Sequence, residues 1–173
     1  MVVKLLGVAL VVLASWLTGN AIASNLQRRV QELRSLRRCF ALLETEIAYT
    51  ATPLPEAFLR IARGAPPQIG AIFAGVRELL VSSQGYTAGE AWEATLNRAY
   101  DFTALDREDR EVLESLGRFL GASGRDDQVR HIRLVCEQLR DREARAVEEA
   151  EKGARMWRFL ALGSGLIVVL LLY

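Results

Sequence analysis

Along most of the chain the apolar residues fall at three- and four-residue steps. Leu26, Val30, Leu33, Leu36, Phe40, Leu43 and Ile47 make one such stripe, which predicts a helix buried along one face. Neither Gly nor Pro interrupts 21–51, so this helix is expected to be long. Thr52-Pro53-Leu54-Pro55 ends it and starts a second helix, with Thr52 as N-cap and Pro53 in the first helical position. The second helix should stop near Gly64. Pro66-Pro67 restarts the chain, and Ile69, Ile72, Phe73, Val76, Leu79 and Leu80 give a third amphipathic helix. After the loop Ser82-Ser83-Gln84-Gly85, Thr87-Ala88-Gly89-Glu90 fits a capping box, in which Thr and Glu satisfy each other's backbone N–H groups. The fourth helix, which it opens, carries Trp92, Leu96 and Tyr100. Thr103 or Asp106 opens a fifth, with Leu105, Val112, Leu113, Leu116, Phe119 and Leu120 turned inward and a stop at 121–124. A sixth runs from about Arg125 through Val129, Ile132, Cys136 and Leu139, and only Gly153 stands as a breaker before Arg158. No stretch carries the alternation of a strand. The expectation is an all-α protein with a six-helix bundle.

The two ends differ from the middle. Residues 2–23 hold one charge, Lys4, and 159–173 hold none. A membrane span takes about 20 mostly apolar residues. The run 5–23 comes close, while 159–173 is short unless Met156 and Trp157 extend it, with Trp157 and Tyr173 as interfacial aromatics. The first run also reads as a secretory signal peptide with Ala21-Ile22-Ala23 at its cleavage site. The flanks favour an uncleaved anchor. Arg28, Arg29, Arg34, Arg37 and Arg38 follow the first run, and Lys152, Arg155 and Arg158 precede or border the second. Positive charge beside a span tends to stay in the cytoplasm. The expected organisation is an N-terminal transmembrane anchor at 1–23, a cytoplasmic helical bundle at 24–155 and a C-terminal transmembrane anchor at 156–173. Both termini would lie outside, and the first and last bundle helices would run on into the anchors.

Charge and chemistry narrow the picture further. The formal net charge of +1 provides no global field for nucleic acid or an acidic partner. Cys39 and Cys136 are too far apart to form a motif and should be free thiols in a cytoplasmic domain. No phosphate-binding G-x-x-x-x-G-K-[ST] run, H-E-x-x-H pair or Cys/His set occurs, and His131 is the only histidine. Gly163-Ser164-Gly165 is too short for a phosphate loop and suits close helix packing. The carboxylates of Asp106-Arg107-Glu108-Asp109-Arg110-Glu111 read as a charged first helical turn rather than a metal site. Glu148 with Lys152, and Glu151 with Arg155, have the i,i+4 spacing of a solvated helix. No catalytic, cofactor-binding or metal-ligating residue is predicted. Glu44 and Glu46 flank Leu43 and Ile47, with Arg37 two turns before Glu44. They fit either an edge-of-core ion pair or a contact to another protein.

One block is specific. Leu33-Arg34-Ser35-Leu36, then Leu42-Leu43-Glu44-Thr45-Glu46-Ile47-Ala48-Tyr49, then Thr52-Pro53-Leu54-Pro55-Glu56-Ala57-Phe58 resembles the stage III sporulation protein AB family of endospore-forming bacteria. Glu90-Ala91-Trp92, then Leu120-Gly121-Ala122-Ser123 with Gln128 and His131-Ile132, and finally Met156-Trp157-Arg158-Phe159-Leu160 with Gly163 extend the resemblance over essentially the whole chain. Gly124 departs from it, standing where the family usually has Asp.

The resemblance implies a domain similar to the F-type platform domains of type II secretion and type IV pilus systems. It further implies a place in the mother-cell membrane, within the secretion-like complex that joins mother cell and forespore. The implied partners are a cytoplasmic ATPase (stage III sporulation protein AA), other components of that channel complex and the membrane, with a homodimer or ring expected by analogy only. No nucleic acid is expected. The expected function is thus a non-enzymatic membrane platform that docks the ATPase. The residues expected to meet it are Arg34, Arg37, Glu44, Glu46, Tyr49, Thr52, Pro53, Pro55 and Glu56. Two rivals remain: a membrane-anchored ligand-binding or sensor module, which needs an enclosed polar pocket, and an exported enzyme, which needs cleavage after Ala23.

Overall fold

A computed structural model describes the backbone of 2–50, 52–122 and 124–172, and the side chains of 20–50, 52–122, 124–153 and Met156. Among the described residues there is no strand. Six α-helices follow one another: α1 (Val2–Thr45), α2 (Leu54–Gly64), α3 (Pro67–Val81), α4 (Ala88–Ala99), α5 (Arg107–Gly117) and α6 (Arg125–Leu172). A π-turn, Glu46–Thr50, closes α1, and a 3₁₀ turn, Tyr100–Phe102, follows α4. The chain divides into two compact units, one of 1–30 with 145–173 and one of 31–144.

In the 31–144 unit, α2, α3, α4 and α5 pack as consecutive neighbours. The middle of α6 lies antiparallel to α1: Arg125 reaches Ile47, Arg133 reaches Glu44, and Glu143 meets Arg34. The unit therefore has two distinct ends. At one, the π-turn, the start of α6, and the contact of Gly121 with Ala88 and Leu54 come together. At the other, where α1 enters and α6 leaves, Ala104 bonds Glu32 and Asp106 bonds Arg142.

The predicted stripe of α1 is the spine of the core. Leu33, Leu36, Phe40 and Leu43 are fully buried. Phe73 from α3 and Trp92 from α4 close on Phe40, and Phe58 from α2 closes on Phe73, with ring centroids 5.7 to 6.0 Å apart in edge-on or tilted pairs. Burying each such side chain contributes about 1.5–3 kcal/mol. The Trp92 indole N–H donates to the Leu113 carbonyl at 2.8 Å, which satisfies its polar atom and ties α4 to α5. These two helices approach so closely that a Cβ on Gly89 would lie 2.3 Å from the Gly117 carbonyl oxygen.

Local signals mostly hold. Thr87 and Glu90 form the expected capping box. Asp106 caps α5 in a second box with Asp109. Thr103 closes the 3₁₀ turn instead, its hydroxyl donating to the Tyr100 carbonyl at 2.7 Å. Three expectations are corrected. Thr52 does not cap α2; Pro53 occupies that position without a side-chain bond. The Thr52 hydroxyl donates to Glu46 at 2.7 Å, because an ionised carboxylate is the stronger acceptor. The 143–158 run is not simply solvated: Glu143 is buried and holds Arg34 and Arg37. Phe119 is only half-buried, its ring stacked on His131 at 3.3 Å.

In the other unit Arg29 is buried and pairs with Glu149 at 2.6 Å, and Ala146 is buried. Lys152 pairs with Glu148 as the spacing predicts; the side chain of Arg155 lies outside the described residues. Gly153 does not interrupt α6. The anchors expected at 1–23 and 156–173 fall almost wholly on side chains outside the described residues. Among the described residues no helix is long and apolar enough to cross a membrane.

Candidate functional site

Seven of the nine residues predicted to meet a partner gather at the end of α1, where the helix widens into the π-turn, while Arg34 and Arg37 lie about two to three turns earlier. Such turns are rare and concentrate at functional sites. Here the turn separates side chains that an α-helix would put on one face, since positions three apart are neighbours there. Glu46 points inward and is buried, whereas Tyr49 is 79% exposed.

Glu46 is the hub of the turn. Its carboxylate accepts from Thr52 at 2.7 Å, Thr50 at 3.0 Å and Arg60 of α2 at 2.7 Å. The Thr52 hydroxyl, then Thr50 and Arg60, hold its pKa below the usual carboxylate value against the opposing effect of burial. The network thus fixes the angle between α1 and α2. From the other side Arg125 donates to the Ile47 carbonyl at 2.6 Å and to the Ala48 carbonyl. The carbonyls freed at the end of α1 are thereby satisfied by the first residue of α6.

The remaining predicted residues divide into two groups. Arg34 and Arg37 both meet Glu143, at 2.9 and 3.3 Å. Glu44 accepts from Arg133 at 2.6 Å, which leaves Arg37 and Glu44 on one face but paired with α6 rather than with each other. The guanidinium of Arg133 is held above its ordinary pKa, first by that hydrogen bond and then by the Glu44 charge. Tyr49, Pro53 and Glu56, by contrast, are exposed, with Pro55 half-buried between them. Leu42, about two turns before Tyr49, is also exposed. The first group ties α1 to α6, Glu44 just before the turn and Arg34 and Arg37 well before it, and the other is presented to solvent.

A cluster that the sequence did not reveal lies at the opposite end. Arg142 donates to Asp109 at 2.7 Å and Asp106 at 2.6 Å, and pairs with Glu108. Asp109 has no exposed surface. Burial disfavours the charge on Arg142, but Asp109, with Asp106 and Glu108, outweighs it and raises the pKa further. The carboxylates predicted as a charged first turn therefore also clasp α6. Arg142, Arg60, Arg125 and Arg133 were all missed. Only Arg125 carried a signal, as a cation at a helix start, where the dipole disfavours it.

Little else converges. Burial pushes the Cys39 and Cys136 thiols up to about 11, so both are poor nucleophiles. An open groove of about 810 Å³ runs between α4 and α5, lined in part by Glu90, Glu93, Arg110, Glu114 and Arg118. Arg110 is already engaged by Glu114 and Asn97. The groove is not the enclosed pocket a sensor would need. Among the described residues no cluster of His, Cys, Asp and Glu could hold a metal ion.

Comparison with known proteins agrees along the whole length. The family model for stage III sporulation protein AB matches residues 4–173. Stage III sporulation protein AB of Bacillus subtilis (strain 168) is 33% identical over 169 residues, covering 98% of each chain. A solved structure of stage III sporulation protein AB is 31% identical, with a TM-score of 0.68, and covers 72% of this chain and 97% of its own. On this match, which takes in the π-turn, the aromatic core and both ends, the chain belongs to the stage III sporulation protein AB family.

Proposed function

We propose that the chain is a non-enzymatic platform component of a secretion-like sporulation channel between mother cell and forespore. In this reading 1–23 and 156–173 anchor it in the mother-cell membrane with both termini outside. The 31–144 unit faces the cytoplasm and docks an ATPase, stage III sporulation protein AA, at its π-turn end. The observation that carries the reading is the position of Tyr49: a bare aromatic on a secured turn, at the end opposite the one where α1 enters and α6 leaves. Tyrosine is among the residues that most often dominate protein interfaces, and Leu42, Pro53 and Glu56 add apolar and acidic surface beside it. Glu46 and Thr52 brace this turn, and Glu44 ties α1 to α6 just before it. Family membership supports a role in sporulation.

The test is capture of the full chain from sporulating-cell membranes, followed by cross-linking mass spectrometry. Cross-links from the ATPase to 42–56 are expected. Cross-links confined to the α4–α5 groove, or a chain that fractionates as soluble, would overturn the reading.

A further inference from the structure

The first residue of α6 acts on another helix. Arg125 follows the α5–α6 loop, which is pressed against the starts of α4 and α2: a Cβ on Gly121 would lie 3.0 Å from that of Ala88 and 4.0 Å from Leu54 Cδ1. Gly121 itself has φ +72°, a left-handed conformation that glycine adopts without strain. Phe119, in the same loop, stacks on His131 of α6. The guanidinium is thus delivered from a braced segment. A cation in the first turn of a helix is disfavoured by the dipole, whereas one at the end of a helix is favoured. Asp126 and Asp127 fill the rest of that first turn as the dipole prefers. Arg125 is therefore out of place in its own helix and well placed at the end of α1.

What it binds there bears on the register of the turn. In a regular helix the Ala48 carbonyl accepts from the N–H four residues on, which is that of Thr52. Here the Thr52 N–H goes to the Glu46 carbonyl at 3.4 Å. Arg125 takes the Ala48 carbonyl so vacated and, at 2.6 Å, that of Ile47. The wide and the regular register are thus alternative uses of one N–H. Without Arg125 the wide register leaves the Ala48 carbonyl bare, and the regular register fills it. In the regular register Tyr49 would sit three places after Glu46, on the face turned toward Arg60 of α2. In the wide one it is 79% exposed.

We propose that Arg125 is a positioning residue for the docking surface: by filling the Ala48 carbonyl it holds the end of α1 in the wide register and keeps Tyr49 turned to solvent. The inference rests on the docking reading above and adds to it the residue that sets the surface. A planar fork of fixed donors suits two successive carbonyls, so Arg125→Lys keeps the charge but only part of the hold.

Thiol labelling at position 49 tests the hold without any partner. Tyr49→Cys is labelled with a disulfide reagent in the membrane-reconstituted full chain, with Arg125 or with Arg125→Ala. Gln84→Cys, in the exposed α3–α4 loop, is the control. Cys39 is buried and Cys136 half-buried, so faster reaction at either reports opening of the bundle. Arg125→Ala should slow labelling at 49 several-fold and leave 84 unchanged. With Tyr49 in place it should also weaken capture of the ATPase several-fold, and Arg125→Lys should restore part of both. A merely structural bond would lower the melting temperature and leave position 49 as reactive as before. Equal or faster labelling at 49 overturns the inference, whatever the capture shows. Slower labelling with undiminished capture keeps the hold and removes docking at Tyr49. Should Arg125→Ala open the bundle, Arg125→Gln, which keeps an amide donor, takes its place and is read the same way.

Discussion

Between 31 and 45, α1 has two partnered faces built on different physics. One carries Leu33, Leu36 and Phe40 into the aromatic core; the other carries Arg34, Arg37 and Glu44 to partners on α6. The first is held by area and shape, which tolerate salt and pH but not lost volume. The second is held by paired charge, whose worth depends on how deeply each pair is buried. The π-turn lies where the two faces meet, and it borrows from both: Ile47 belongs to the core, Glu46 to the charge network, and Tyr49 to neither.

The apolar face should break hardest. Trp92→Ala removes one of the four packed rings and the indole bond to the Leu113 carbonyl, at a cost of about 3–5 kcal/mol. Urea unfolding should register it as a large fall in midpoint at every pH. On the charged side the expected effects spread widely. Arg142→Ala leaves Asp109 buried without its cation and should cost about 3 kcal/mol. Arg133→Ala removes only an exposed ion pair and should leave the midpoint unchanged within error. Equal losses in the two variants would show that burial does not rank these pairs.

Acid separates the faces further. Thr52, Thr50 and Arg60 depress the Glu46 pKa, so its contribution is present above the unfolded value of about 4.3 and is lost as pH falls through the lower, folded one. Thermal melts should therefore decline below about pH 4.3, and Glu46→Gln should flatten that decline while leaving the Trp92→Ala loss as it is. The thiols report on the core from within. With both pushed up to about 11 by burial, about one thiol in a thousand is ionised at pH 8. Cys39 and Cys136 should react slowly with a disulfide reagent until denaturant opens the bundle.

What could be read in the sequence follows the same division. The apolar face announces itself locally, because Leu33, Leu36, Phe40 and Leu43 repeat within one helix and need no knowledge of their neighbours. The capping boxes at Thr87 and Asp106 are equally local. The charged face is not local. Arg142 stands 33 to 36 residues from the carboxylates it holds, and nothing in its own helix marks it. Thr52 illustrates the limit most clearly: its position before Pro53 reads as a cap, yet its hydroxyl goes to Glu46 across the π-turn. That turn was itself illegible. A regular helix would have put Glu46 and Tyr49 on one face, and only the widened turn makes one a brace and the other a surface.

Tyr49 gives a small expected change in stability and the largest expected change in function. Because its side chain is mostly in water, Tyr49→Ala should shift stability by no more than about 0.5 kcal/mol. The decisive measurement is capture of the cytoplasmic ATPase by the membrane-reconstituted full chain, wild type against Tyr49→Ala, with thermal unfolding recorded on the same samples. Loss of capture at an unchanged melting temperature is the expected result. Equal capture by both proteins would contradict docking at the π-turn end.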